Sequence, residues 1–179
     1  QIDHYGKNVL ITNSNFNGSL AALVAYDLSG KLVFNANLGI LSSGGHFAND
    51  VAVDNLGNSY VTDSYAGIIY KIDPSGNATI FLNSPELAPA PNNFGLNGID
   101  YHPKGFLIVS RSDINTLYKI PLNDPENFSA IELSDQLFSP DGLYFKNPNE
   151  LLVVSNNFGG DNSRVQTFRS QDGWKTATL

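Results

Sequence analysis

Apolar residues fall in short runs that alternate with polar ones, and the runs recur in one order along the chain. Asn49-Asp50-Val51-Ala52-Val53-Asp54, Asn97-Gly98-Ile99-Asp100-Tyr101 and Asp141-Gly142-Leu143-Tyr144-Phe145 each set an amide or carboxylate oxygen directly before a short apolar strand. A second run follows each at a matching distance: Tyr60-Val61-Thr62, Leu107-Ile108-Val109-Ser110 and Leu151-Leu152-Val153-Val154. The first two repeats add a third, Ile69-Tyr70-Lys71-Ile72 and Leu117-Tyr118-Lys119-Ile120. Turn chemistry separates the runs, as in Asp27-Leu28-Ser29-Gly30, Asn55-Leu56-Gly57-Asn58, Asp73-Pro74-Ser75-Gly76-Asn77 and His102-Pro103-Lys104-Gly105. Gly, Asn, Asp and Pro supply the backbone angles that tight turns demand, so the pattern reads as antiparallel strands joined by hairpins. No stretch shows amphipathic helical spacing, and Ser84 to Phe94 is broken by prolines into loop.

A repeat of about 45 residues built of short strands is the pattern of a β-propeller blade. The predicted fold is therefore all-β, a β-propeller of four-stranded antiparallel blades in one domain, with blade units near 1–40, 46–84, 95–134 and 138–179. Strands are expected near 50–54, 59–63, 68–72 and 78–82, then 98–101, 106–110, 116–120 and 129–133, then 142–145, 150–155, 163–169 and 175–179. The first unit offers only Val9–Asn13, Leu23–Asp27 and Lys31–Phe34, without an innermost strand. About four blades leave a larger ring incomplete, so the missing ones are expected from unseen sequence, a second chain or a symmetry mate. A start at Gln1 and the absence of Met fit a processed, truncated or partial polypeptide.

With 179 residues, 41% of them hydrophobic and 15% charged, the chain has enough apolar surface for a core. A net charge of −7 without any Lys/Arg cluster argues against a nucleic-acid partner, because a phosphate backbone would be repelled. Absence of Cys excludes disulfides, thiolate metal sites and cysteine nucleophiles. No apolar run reaches the roughly 20 residues of a membrane helix. The triplets at Asn17, Asn77 and Asn127 match the N-glycosylation acceptor pattern and fall in turns or blade edges where a glycan is tolerated, and they point to secretion, with a cytoplasmic location as the alternative.

Equivalent positions of successive blades face one axis, so Asn49, Asn97 and Asp141 are expected to converge. Mixed amide and carboxylate oxygens suit a hard cation, and Ca2+ best among divalent ions. The competing explanation is that Asn and Asp start strands by capping the preceding turn. Recurrence at one blade position in three repeats favours a site.

Phe47-Ala48-Asn49-Asp50-Val51-Ala52-Val53-Asp54 with Gly57-Asn58-Ser59-Tyr60-Val61-Thr62-Asp63, then Leu96-Asn97-Gly98-Ile99, then Ser139-Pro140-Asp141-Gly142-Leu143, resembles the senescence-marker/gluconolactonase superfamily of six-bladed propellers, whose wider relatives include paraoxonases and strictosidine-synthase-like proteins. The resemblance implies that Asn49, Asn97 and Asp141 hold a divalent ion at the top of the central channel. The family's fourth ligand, a Glu of the first blade, has no counterpart in this chain. It also implies Lewis-acid hydrolysis of a lactone or related ester, with Asp141 as ligand and base and Asp50 as a second acidic group.

His46, three residues before Asn49, is a candidate proton shuttle facing the channel, with a plain loop position beside Gly44 and Gly45 as the alternative. His4 and His102 read as solvated. Asp63 and Arg111 lie at the ends of second strands, where a salt bridge or an Asx turn is the commoner use. Trp174 is expected to anchor an outer strand. No Gly-x-Ser-x-Gly elbow, phosphate-cradling Gly loop or His-Glu-x-x-His occurs. Two functions compete: a calcium-dependent hydrolase of lactones or related esters, and a non-catalytic secreted propeller that binds a small apolar or glycosidic ligand in its channel.

Overall fold

The computed structural model describes residues 1–91 and 93–179, with side chains except at Phe158. It is all-β, with no α-helix among the described residues. The strands are β1 (Asn8–Ser14), β2 (Ala21–Asp27), β3 (Leu32–Asn37), β4 (Ala48–Val53), β5 (Ser59–Asp63), β6 (Ile68–Ile72), β7 (Ala78–Asn83), β8 (Leu96–His102), β9 (Phe106–Arg111), β10 (Thr116–Pro121), β11 (Ser129–Ala130), β12 (Glu132–Leu133), β13 (Pro140–Asn147), β14 (Glu150–Ser155), β15 (Arg164–Arg169) and β16 (Thr176–Ala177). They belong to two compact units, Gln1–Leu96 and Asn97–Leu179.

The first unit holds a sheet ordered β1-β2-β3 and a sheet ordered β4-β5-β6-β7, antiparallel throughout. Ile2 bridges Val9, and Gln1 exchanges hydrogen bonds with Leu10, so the first two residues lie along the outer edge of β1, where an innermost strand would run. Leu10, Leu23 and Ala25 of one sheet and Val51, Val61, Tyr70 and Ile72 of the other form one buried cluster. The alanines at 21, 25, 36 and 48 keep its facing surfaces shallow. Each large aliphatic in such a core contributes roughly 1.5–3 kcal/mol through apolar area removed from water. The Ser84–Phe94 stretch carries a single 3-10 turn, Pro85–Leu87, capped by Ser84 Oγ; Asn92 lies outside the described residues.

The second unit pairs β8 to β11 in one sheet and β13-β14-β15 in another. Phe106, Ile108, Leu117, Leu151, Val153, Phe168 and Trp174 form its core. The expected 129–133 strand is divided: β11 pairs with β10, whereas β12 turns away to pair in parallel with β16. The C-terminal segment touches β15 through one bridge, Arg169 to Thr178. The Asp172 carboxylate holds the turn that leads into β16. It gathers the amides of Lys175 and Thr176 and the hydroxyls of Ser170 and Thr176, and these bonds, the Thr176 amide first, hold its pKa down at about 2. Trp174 closes the same turn. It is 2% exposed, donates its indole N–H to Pro148 O and packs edge-on to Phe145.

One turn design recurs in the hairpins. Asp27, Asp54 and Asp73 each accept the amides two and four residues ahead, and the glycine between has positive φ. In the second unit His102 takes that place: Nδ1 accepts from the Lys104 amide and Nε2 donates to Pro148 O. The ring stacks on Phe106 at 4.1 Å and is 1% exposed, so the expectation of a solvated His102 is corrected. Burial, with smaller contributions from Lys104 and Lys119, lowers its pKa below 6.5 against the opposing Pro148 bond. His4 is exposed.

Candidate functional site

Asn49, Asn97 and Asp141 are each the second residue of the first strand of a sheet, β4, β8 and β13. In β4 and β13 an extra residue intrudes at that point. Ala48 opposes Asp63 while Val51 opposes Val61, and Pro140 opposes Ser155 while Leu143 opposes Val153. Such a bulge leaves backbone out of the ladder and re-aims side chains, which is why bulges gather beside binding sites.

In the first unit, Asn49 Nδ2 donates to Ser64 Oγ at 2.8 Å, and Ser64 Oγ donates to the Leu96 carbonyl at 2.6 Å. The amide's orientation is thereby set, with its nitrogen committed and its oxygen turned from Ser64. Ser14 Oγ binds the Ala48 carbonyl and Thr12 Oγ1 the Asn49 carbonyl, so the backbone on both sides of the side chain is also held.

The second unit repeats the device. Asn97 Nδ2 donates to Ser112 Oγ at 3.1 Å and Ser112 Oγ to the Pro140 carbonyl at 2.6 Å, which ties the residue before Asp141 to the Asn97 strand. Ser110 Oγ reaches the carbonyls of Gly98 and Asp141 at 3.4 and 3.3 Å. Gly98 has no room for a side chain, since a Cβ would fall on the Asp141 carbonyl oxygen. In the third repeat Asn156 Nδ2 donates to Asp141 Oδ2 at 2.7 Å. The polar partner stands fifteen residues after Asn49, Asn97 and Asp141 alike. Sequence reasoning missed Ser64, Ser112 and Asn156, although that fixed offset was there to find.

Asp50 lies on the β4 bulge with its Oδ1 accepting the Val51 amide. His46 is 2% exposed and its Nδ1 is 2.7 Å from Asp63 Oδ2. Asp63 makes both a pair with His46 and an Asx turn to the Tyr65 amide. The Tyr70 hydroxyl donates to Asp63 Oδ2, and burial, then the Asp63 charge and that bond, push its pKa far above the usual phenol value. Arg111 pairs with Asp113. Among the described residues no cluster of three or more His, Cys, Asp or Glu is poised to hold a metal.

A cleft of about 460 Å3 in the first unit is lined by Phe16, Tyr65, Pro89 and Phe94. Phe47 joins three of these rings, at 5.6 Å from Phe16, 5.4 Å from Tyr65 and 5.3 Å from Phe94. Asn17, Asn77 and Asn127 are all exposed. Among the described residues no helix is long and apolar enough to cross a membrane.

No protein-family model matches the chain, and no curated protein matches it by sequence. Solved structures do. It is similar to a gluconolactonase from Xanthomonas campestris (TM-score 0.64, 15% identity, 95% of this chain and 57% of that one). It is similar also to regucalcin, a calcium-binding protein from Agrobacterium tumefaciens (0.60, 15%, 86% and 51%), and to virginiamycin B lyase from Staphylococcus aureus (0.60, 15%, 90% and 52%). The chain thus spans about half the length of these structures. At such identity the likeness shows the fold, a β-propeller.

Proposed function

We propose that the chain is part of a lactonase-like propeller in which Asn97 and Asp141 bind a divalent cation, Ca2+ by preference, and in which Asn49 is a ligand of the same kind. The supporting observation is the bond from each asparagine's Nδ2 to a buried serine hydroxyl, which fixes the amide with its oxygen turned away from the serine, the orientation an oxygen ligand needs. Asp141 fits the same role: Oδ2 is held by Asn156, while Oδ1 accepts no hydrogen bond among the described residues. An all-oxygen set of this kind suits calcium. The gluconolactonase and the calcium-binding regucalcin among the structural neighbours agree with this reading.

When bound, the ion supplies Lewis-acid polarisation of a lactone or ester carbonyl. Asp141 then has the role of base toward an attacking water, Asn156 keeps its carboxylate oriented, and Asp50 supplies a second acidic group. The test is calcium titration by calorimetry together with turnover of a simple lactone. Saturable binding that disappears in Asp141→Ala, with turnover that a chelator stops, is the expected result. Binding unchanged by that substitution refutes the assignment. The aromatic cleft favours a second reading, a small-molecule-binding propeller: a ligand with an apolar or glycosidic face that still binds Asp141→Ala identifies it.

A further inference from the structure

We infer that Ser42, His46 and Asp63 form a separate nucleophile–base–orienter triad in the first unit, suited to acyl transfer from small activated esters. The three groups stand in hydrogen-bond order. Ser42 Oγ is 3.2 Å from His46 Nε2, and His46 Nδ1 is 2.7 Å from Asp63 Oδ2. Asp63 is completely buried and its Oδ1 accepts the amides of Phe47 and Tyr65, which fixes the carboxylate with Oδ2 toward the imidazole.

That arrangement decides the tautomer. A carboxylate only accepts, so Nδ1 carries the proton and Nε2 of the neutral ring is left to accept from the Ser42 hydroxyl. Nε2 also lies 3.2 Å from the Ser42 carbonyl oxygen. Once Nε2 takes the hydroxyl proton it has that acceptor at hand, and Asp63 balances the new charge. A general base needs both conditions.

Two further features separate this cluster from a merely satisfied buried histidine. Ser42 is only partly buried, so the nucleophile sits at the accessible end of a buried relay. The amides of Ser43, Gly44 and Gly45, all exposed, donate to no protein acceptor among the described residues. A Cβ built on Gly44 would meet nothing within 4 Å, so the approach is open, and these uncommitted amides follow the nucleophile directly in sequence, as candidate donors for a developing oxyanion. In the reaction Ser42 Oγ bonds to the ester carbonyl carbon and its proton passes to His46 Nε2. The alcohol leaves with that proton, and water hydrolyses the acyl-serine by the reverse transfers. No metal takes part, so the inference stands apart from the calcium reading.

The test is to treat the whole chain with an alkyl fluorophosphonate in the presence of EDTA and to map the adducts by peptide mass spectrometry. Ser42 Oγ would form the P–O bond, fluoride would leave, and the hydroxyl proton would pass through His46. Ser43, exposed next door and lacking a base, is the internal control. The expected result is labelling of Ser42 about 10²-fold faster than Ser43, the lower end of what a positioned base contributes. Asp63→Asn and His46→Gln, checked for native circular dichroism, should remove most of that advantage. If either variant fails to fold, the wild-type ratio alone decides. Equal labelling of the two serines, or none at Ser42, overturns the triad and leaves His46–Asp63 as a hydrogen-bonded pair that fastens its loop to β5.

Discussion

Replacing Ser112 by Ala tests whether the serine latch is structural cement for the second unit. The hydroxyl is in a residue 4% exposed, donates at 2.6 Å to the Pro140 carbonyl and accepts at 3.1 Å from Asn97 Nδ2. Alanine fills nearly the same volume, so the change removes bonds rather than packing. Each buried polar group that loses its partner costs about 1–3 kcal/mol, and two such groups put the loss at about 2–6 kcal/mol. With a urea m-value of about 2 kcal/mol per molar, the midpoint falls by about 1–3 M. Ser110→Ala is the comparison. That hydroxyl is fully buried too, but its two contacts are long, 3.4 and 3.3 Å, and share one proton, so about 1 kcal/mol or less is at stake. Trp174, the chain's single tryptophan, is buried in the same unit, so its fluorescence follows the unfolding concerned. Equal midpoint shifts for the two variants, or a larger one for Ser110→Ala, would refute the reasoning.

Gly98→Ala should cost about 3 kcal/mol or more, because its Cβ meets backbone that cannot yield without parting β8 from β13. Gly142→Ala, whose Cβ meets only the Val154 side chain, at 3.8 Å from Cγ2 and 4.0 Å from Cβ, should be mild, and comparable urea midpoints for the two would contradict the close approach. His102 should titrate below pH 6.5 when followed by NMR. Since its folded pKa is the lower one, the unfolded chain binds the proton better, and the contribution to stability is complete above pH 6.5 and lost as pH falls through the folded value. A midpoint at or above 6.5 would refute burial as the dominant influence on the ring.

The strands were legible because each places β-branched and aromatic residues between turn residues, a local pattern that tertiary context did not override. The division of the 129–133 strand was not, since Glu132 and Leu133 take their partners from Thr176 and Ala177, far along the chain. His102 was misread for a related reason. His-Pro-Lys-Gly looks like any exposed turn, and only alignment with Asp54-Asn55-Leu56-Gly57 shows the imidazole standing in for a turn-capping carboxylate. At the candidate site the oxygen-bearing residues were visible and their supports were not. The bulges at Asn49 and Asp141 insert one residue without any Gly or Pro signal common to both, and a bulge has no other mark in sequence. Ser64 and Ser112 look like ordinary loop serines until their hydroxyls are seen to bridge two strands.

The parallel pairing of β12 with β16 has a consequence for synthesis. Glu132 and Ser134 donate their amides to the carbonyls of Lys175 and Ala177, and Arg169 and Thr178 exchange a pair of bonds, so one short segment closes two exposed edges. All of it is translated after the rest of the second unit. At ribosomal speeds of about 5–20 residues per second, β12 waits seconds for the strand it pairs with. During that interval another nascent chain could pair in its place, so translation rate, rather than sequence alone, becomes a determinant of yield.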